Sequence, residues 1–218
     1  MPAPSTQTKL TMPSPRAPRP APLEPGAHLG RPPTARALVV LEDLETLFKA
    51  EGFARFTAEE LAARLRCSRR MLYQLAPSLD ELAALVVDRF FQRMGRTCFA
   101  NASAGRTRTE QLDAYMRGGN ADFASLSAAF IRDMHALPVT KRLADTRLAF
   151  GVSIFEQIVE LGVQEREFAA INAAFVARMF LAGVLRLLDP QLLRETNLTV
   201  QAAIDQYAEL VLHGLRQR

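Results

Sequence analysis

The chain has 218 residues, 49% of them hydrophobic and 7% aromatic, which is enough apolar surface for a core that needs neither disulfides nor a structural metal. Its net charge is +4, from 27 Lys and Arg against 23 Asp and Glu, a balance that points to an anionic partner. Two cysteines are too few for a secreted disulfide framework, and no apolar run reaches the roughly 18 residues of a membrane span, so a cytoplasmic chain without a membrane partner is expected.

Ten of the 13 prolines fall in residues 1–33, among Ser, Thr, Ala and Arg. Such a segment buries too little apolar surface to offset its ordering entropy, and residues 1–35 read as a disordered tail with polyproline character. Up to residue 37 it carries Lys9, Arg16, Arg19, Arg31 and Arg36 against Glu24 alone, so the whole net charge belongs here and the rest of the chain is neutral.

The other prolines, Pro77, Pro138 and Pro190, stand where apolar helical patterns stop, and no segment alternates with the period of a strand. The body is therefore expected to be all-α. A first helix runs from about Leu38 to Ala50 with Val40, Leu41, Leu44, Leu47 and Phe48 on one face, and Gly52 closes it. Thr57 and Glu60 form a capping box that opens a short second helix with Leu61, Ala62 and Leu65 inward. Leu65-Arg66-Cys67 interrupts the pattern, and Ser68 caps a third helix that ends by Pro77. Ser78 and Glu81 open a fourth helix, with Leu82, Leu85, Val86, Phe90 and Met94 on one side.

Two short helices joined by a tight turn and braced by longer ones are the arrangement that presents a recognition helix to the major groove of DNA. In the third helix Met71, Leu72 and Leu75 can pack inward while Arg69, Arg70, Tyr73 and Gln74 stay outside, donor-rich types suited to phosphates and base edges. The bland reading is a solvated surface helix. Against it, residues 61–79 hold four arginines (Arg64, Arg66, Arg69, Arg70) and no acid.

From Leu44 to Leu85, the residues Leu47-Phe48, Gly52-Phe53, Thr57, Leu61-Ala62, Ser68, Leu72-Tyr73, Pro77-Ser78 and Leu82 follow one another at spacings that resemble the N-terminal DNA-binding domain of the TetR family of transcriptional regulators. The resemblance implies a homodimer of about nine helices per chain, with a three-helix helix-turn-helix head over residues 36–99 and a larger helical domain over 100–218 that binds a small effector and dimerises. It implies a repressor on a pseudo-palindromic double-stranded DNA operator in a bacterial nucleoid, not an enzyme. The candidate DNA-binding residues are Arg36, Thr57, Ser68, Arg69, Arg70, Met71, Tyr73, Gln74 and Ser78, with Thr57 on a phosphate and Ser78 capping the fourth helix.

Arg66 stands where the family usually has a turn glycine, so either Arg66 takes a left-handed conformation or the turn differs. Leu75 and Ala76 replace the usual histidine or aromatic residues. These departures support a second reading, an all-helical ligand- or protein-binding module with a degenerate head.

Further helices are expected at about Glu110–Arg117, Asn120–Ala136, Val139–Leu161, Ala169–Leu188 and Thr199–Leu215, with Gly162 and Asp189-Pro190 as stops. An effector pocket, for a small apolar molecule, would draw on Phe99, Tyr115, Phe123, Phe130, Met134, Phe150 and Phe155, with Arg147, His135 or Asn120 as anchors. Phe at helical spacing is more often plain core. The dimer face is expected at Ile171, Phe175, Met179, Ala182, Gly183, Ile204, Ala208 and Val211. His28, His135 and His213 are scattered, so neither metal nor cofactor is expected. Cys67, at a helix start beside arginines, is in a setting that can lower a thiol pKa and suit redox sensing, but a small structural residue in the turn is the favoured reading.

Overall fold

The computed structural model describes residues 18–30, 32–187 and 189–216; residues 1–17 of the expected tail lie outside them. The described residues form one 3-10 turn, Ala27–Leu29, and eleven α-helices: α1 Ala35–Glu51, α2 Ala58–Arg64, α3 Arg69–Leu75, α4 Leu79–Ala102, α5 Arg108–Gly118, α6 Asn120–Ala124, α7 Ala128–Ala136, α8 Pro138–Gln164, α9 Ala173–Leu187, α10 Pro190–Thr196 and α11 Val200–Leu215. Side-chain caps start most of them. Thr34, Thr57, Ser68, Thr107, Ser127, Asp189 and Thr199 each accept a hydrogen bond from a first-turn backbone N–H, satisfying donors that the helix itself cannot.

The chain divides into two compact units. One holds residues 19–94 and 121–150; the other holds residues 95–120 and 151–218. In the first, α1 buries Val40, Leu41, Leu44 and Phe48 against Leu61 of α2, Leu72 and Leu75 of α3, and Leu82, Val86 and Phe90 of α4. Phe130, Met134 and Ala144 enter this same core, although the sequence reading places residue 100 onward in a second domain. Phe130 sets its ring edge-on to Phe53 at 5.8 Å and to Phe90 at 6.2 Å, a geometry that aromatic quadrupoles favour. Each fully buried ring contributes about 1.5–3 kcal/mol, so α7 belongs energetically with the head.

In the second unit, α5 is fastened at both ends by arginines. Arg108 donates to Glu165 from Nε at 2.9 Å and from Nη2 at 2.8 Å; Arg117 donates to Asp113, Asp205 and Glu209 at 2.6–2.8 Å. Phe180 stacks between Phe155 at 4.7 Å and Tyr207 at 5.6 Å, and the Tyr207 hydroxyl donates to Met179 O at 2.8 Å. Gly183 allows this approach, since a Cβ there would lie 2.3 Å from Tyr207 Cζ.

Several sequence expectations are corrected. The helix expected over 120–136 is two, because Ser127 caps a new start by accepting from Phe130 N at 3.1 Å. Asp189-Pro190 is a start as well as a stop, with Asp189 at the N-cap and Pro190 in the first turn of α10. Residues 18–30, expected within the disordered tail, are ordered by hydrogen bonds: Leu23 N–H to Asp88 Oδ2 at 2.7 Å, Arg147 to the carbonyls of Pro20 and Ala21 at 2.6 and 2.8 Å, and Gly26 N–H to Leu75 O at 2.8 Å. Apolar burial was the wrong criterion for this segment, because backbone hydrogen bonds to buried charged groups hold it.

Of the two ways open to Arg66, the left-handed one is taken, with φ 49°. Cys67 N–H reaches Ala62 O at 2.9 Å and Arg66 N–H reaches Ala63 O at 3.3 Å, a Schellman ending of α2 that normally carries glycine. Arg66→Gly is accordingly expected to raise stability by about 0.5–1 kcal/mol, read as an upward shift of the urea midpoint, the relieved strain exceeding glycine's added chain entropy.

Candidate nucleic-acid interface

The turn from α2 to α3 sets the exposed face of α3. Leu72 and Leu75 are buried at 1% and 2% exposure, which fixes the rotation of this seven-residue helix and leaves Ser68, Arg69, Arg70 and Tyr73 outside, with Gln74 half-buried. Arg69, Arg70, Tyr73 and Gln74 follow i, i+1, i+4, i+5 spacing and so share one face. Met71 packs against the head core, so it supports this face rather than forming it. Tyr73 is the exposed aromatic of the group at 42%.

Around α3, Thr57 is exposed at the start of α2. Its hydroxyl donates to Glu60 at 2.9 Å and accepts from Glu60 N–H at 3.2 Å, so the capping box is complete. Hydrogen bonds from the Thr57 backbone N–H and then its hydroxyl hold the Glu60 carboxyl below its usual range. Ser78 accepts from Glu81 N–H at 3.2 Å, in front of α4. Arg36 is exposed in the first turn of α1, and its charge acts on Cys67 in the α2–α3 turn.

The acid-free run is less acid-free in space than in sequence. Arg64 pairs with Glu51, and Arg69 with Glu59, partners outside the run. Arg64 also lies over the Phe56 ring at 5.8 Å, as Arg55 does at 4.7 Å. Among the described residues, Arg66 and Arg70 have no ion-pair partner. Exposed pairs such as Arg69–Glu59 are worth about 0–1 kcal/mol, so a phosphate can displace the carboxylate cheaply. Burial pushes the Cys67 thiol up, outweighing the Arg36 charge, so its setting does not favour a reactive thiolate and fits a small structural residue in the turn.

The residues named for an effector pocket divide between the two units. Phe130 and Met134 are buried in the head core, and Phe123 packs against it. Arg147 is buried, donates to Asp88 Oδ1 from Nε at 2.7 Å and holds two backbone carbonyls, so its guanidinium is committed to structure. Phe150 ends the α8 portion of this unit. In the other unit Phe155 stacks on Phe180, Phe99 is exposed, and Tyr115 donates its hydroxyl to Gly151 O at 2.9 Å; burial pushes the Tyr115 phenol well above its ordinary range. Of the other anchors, His135 is exposed, and the side chain of Asn120 lies outside the described residues.

The residues named for a dimer face also separate. Ile171, Phe175, Met179 and Ala182 are exposed, Phe175 at 61%, and Val211 is half-buried. Ile204 and Ala208 are buried within the unit at 1% and 0%, and Gly183 faces Tyr207 of its own chain. Leu185 of α9 and Leu210 of α11 are exposed as well, Leu210 at 71%; the apolar residues of these helices fall on more than one side, so spacing alone did not single these two out.

No protein-family model matches the sequence, and no curated protein matches it. Solved structures do match in fold. A TetR-family transcriptional regulator, PfmR from Thermus thermophilus, aligns at 17% identity over 82% of this chain and 99% of its own, with a TM-score of 0.61. SmeT, the repressor of the Stenotrophomonas maltophilia multidrug efflux pump SmeDEF, aligns at 16% identity over 83% and 90%, TM-score 0.67. AibR, solved with isovaleryl coenzyme A and operator DNA, aligns at 18% identity over 80% and 97%, TM-score 0.62. The fold of this chain is therefore that of the TetR-family regulators, an N-terminal helix-turn-helix head with a helical domain.

Proposed function

We propose that the chain is a sequence-specific DNA-binding transcriptional regulator, a dimeric repressor that releases a pseudo-palindromic operator on binding a small molecule in its second domain. The observation that carries this reading is the exposed face of α3, with Arg69, Arg70, Tyr73 and Gln74 presented together while Leu72 and Leu75 lock the helix from behind. Arg donates bidentately to guanine and Gln pairs with adenine, while Arg36, Thr57, Ser68 and Ser78 lie where phosphates would pass. A second copy would pack on the exposed apolar side of α9 and α11, along Ile171, Phe175, Met179, Leu185 and Leu210. Two heads would then read half-sites about one helical turn apart.

The small molecule is of undetermined structure; its affinity must differ between the DNA-competent and DNA-released states for it to regulate. No helix among the described residues is long and apolar enough to cross a membrane, and a place on the bacterial nucleoid follows from the proposed function. Leu75 and Ala76 are buried at 2% and 6%, and Arg66 completes a regular helix end, so the departures that favoured a degenerate head are absorbed by packing.

The test is fluorescence anisotropy on the duplex that the intact chain selects from a randomised pool. The variant Arg70→Ala/Tyr73→Ala is expected to bind at least about 100-fold more weakly, since each protomer loses contacts worth about 1–3 kcal/mol apiece. Its melting temperature should be unchanged, because both side chains are exposed. Equal binding by the variant would contradict the reading.

A further inference from the structure

Residues 20–28 run between two anchors in the first unit. At one end Arg147 of α8 donates to Pro20 O at 2.6 Å and Ala21 O at 2.8 Å, and Asp88 of α4 accepts from Leu23 N–H at 2.7 Å. That anchor is rigid: Asp88 is fully buried and also takes Arg147 Nε at 2.7 Å and Gln92 Nε2 at 2.6 Å. At the other end Gly26, itself buried, donates its N–H to Leu75 O at 2.8 Å, and His28 Nε2 lies 3.0 Å from Tyr73 O, donating in the tautomer that carries its proton there.

Both acceptors are last-turn carbonyls of α3. These have no partner within a helix, and α3 has no glycine ending of its own; Ala76, its C-cap, is extended at φ −150°, with a 3.4 Å bond to Leu72 O. A helix of seven residues has little internal cooperativity, so what holds its end decides how rigidly it is presented.

We propose that residues 20–28 are a strap that positions the recognition helix, with His28 as a positioning residue acting through the Tyr73 carbonyl. The proposal rests on the DNA-binding reading above. The strap binds the backbone of the residue that carries one of the outward-facing side chains and of Leu75, which seats the helix. Holding both carbonyls fixes the register of Tyr73 and Gln74 before DNA arrives, so less ordering remains to be done on binding. The same strap ties Arg147 of α8 to the end of α3 through its own backbone.

The experiment uses the full-length chain, with His28→Ala and His28→Gln compared on the selected duplex and on a scrambled one. His28→Ala should lose about tenfold in affinity for the selected duplex, the loss of one modest hydrogen bond in each of two protomers. Its affinity for the scrambled duplex should stay as in the intact chain, and its melting temperature should fall by no more than a few degrees, because His28 is exposed and the lost hydrogen bond is a modest one. His28→Gln, whose amide can donate to the same carbonyl, should recover most of the loss. Hydrogen exchange supplies an independent reading, with the amides of Leu23 and Gly26 expected to be protected. Undiminished binding by His28→Ala, or unprotected amides at both positions, overturns the strap while leaving the DNA-binding reading in place. Failure of the intact chain to select any duplex overturns both.

Discussion

Gly52→Ala is expected to cost about 3 kcal/mol or more of folding stability, measured by urea unfolding, the backbone strain alone being of order 1–3 kcal/mol. Gly52 has φ 77° and ψ −174°, a region that only glycine occupies without strain. An added Cβ would also stand 2.5 Å from Asp133 Oδ2 and 3.0 Å from Ala129 Cβ, both on α7. Asp133 cannot retreat freely. The same oxygen accepts from Phe53 N–H at 2.8 Å and Ala54 N–H at 2.9 Å, holding the turn after α1 against α7. Hydrogen bonds to a charged group contribute about 1.5–3 kcal/mol each, so displacing the carboxylate adds to the backbone strain. Adding Ala129→Gly should restore little, since it relieves the 3.0 Å contact and leaves both the closer one to Asp133 Oδ2 and the backbone strain in place. A Gly52→Ala protein as stable as the parent would mean that the turn is not held as described.

Arg147→Met is expected to destabilise the chain by about 3–5 kcal/mol, because it removes the partner of a buried charge while roughly preserving volume. Asp88 is fully buried, and without the guanidinium its carboxylate keeps only the Leu23 N–H and the Gln92 amide. The double change Arg147→Met/Asp88→Asn should recover a large share of the loss, since it removes the uncompensated charge with the pair. If the two single losses simply add in the double variant, the ion pair is not the cause.

The helix-turn-helix was legible because local chemistry writes it. Thr57 with Glu60, Ser68, and Ser78 ahead of α4 mark three starts within a short span, and Pro77 marks a stop, so no distant partner was needed to place α2, α3 and the beginning of α4. The outward face of α3 followed from period alone. α10 was missed although Asp189 before Pro190 is itself a start signal, because the pair was read only as an end.

What stayed hidden depended on partners far along the chain. Residue 147 holding residues 20 and 21 leaves no periodic trace, and neither does Asp133 closing the turn after α1. The roles of the pocket and dimer candidates are not legible for a related reason. Helical spacing says that Phe130, Ile204 and Ala208 are buried, but not whether by the chain's own core, a ligand or a second copy.

The most direct measurement of the central claim is selection of duplexes from a randomised pool by the full-length chain, followed by footprinting at several salt concentrations. A DNA reader of this design should enrich an inverted repeat with half-site centres about 10 base pairs apart or a multiple of that, and its affinity should fall steeply as salt rises. Enrichment of no sequence, or protection that ignores sequence, would contradict it.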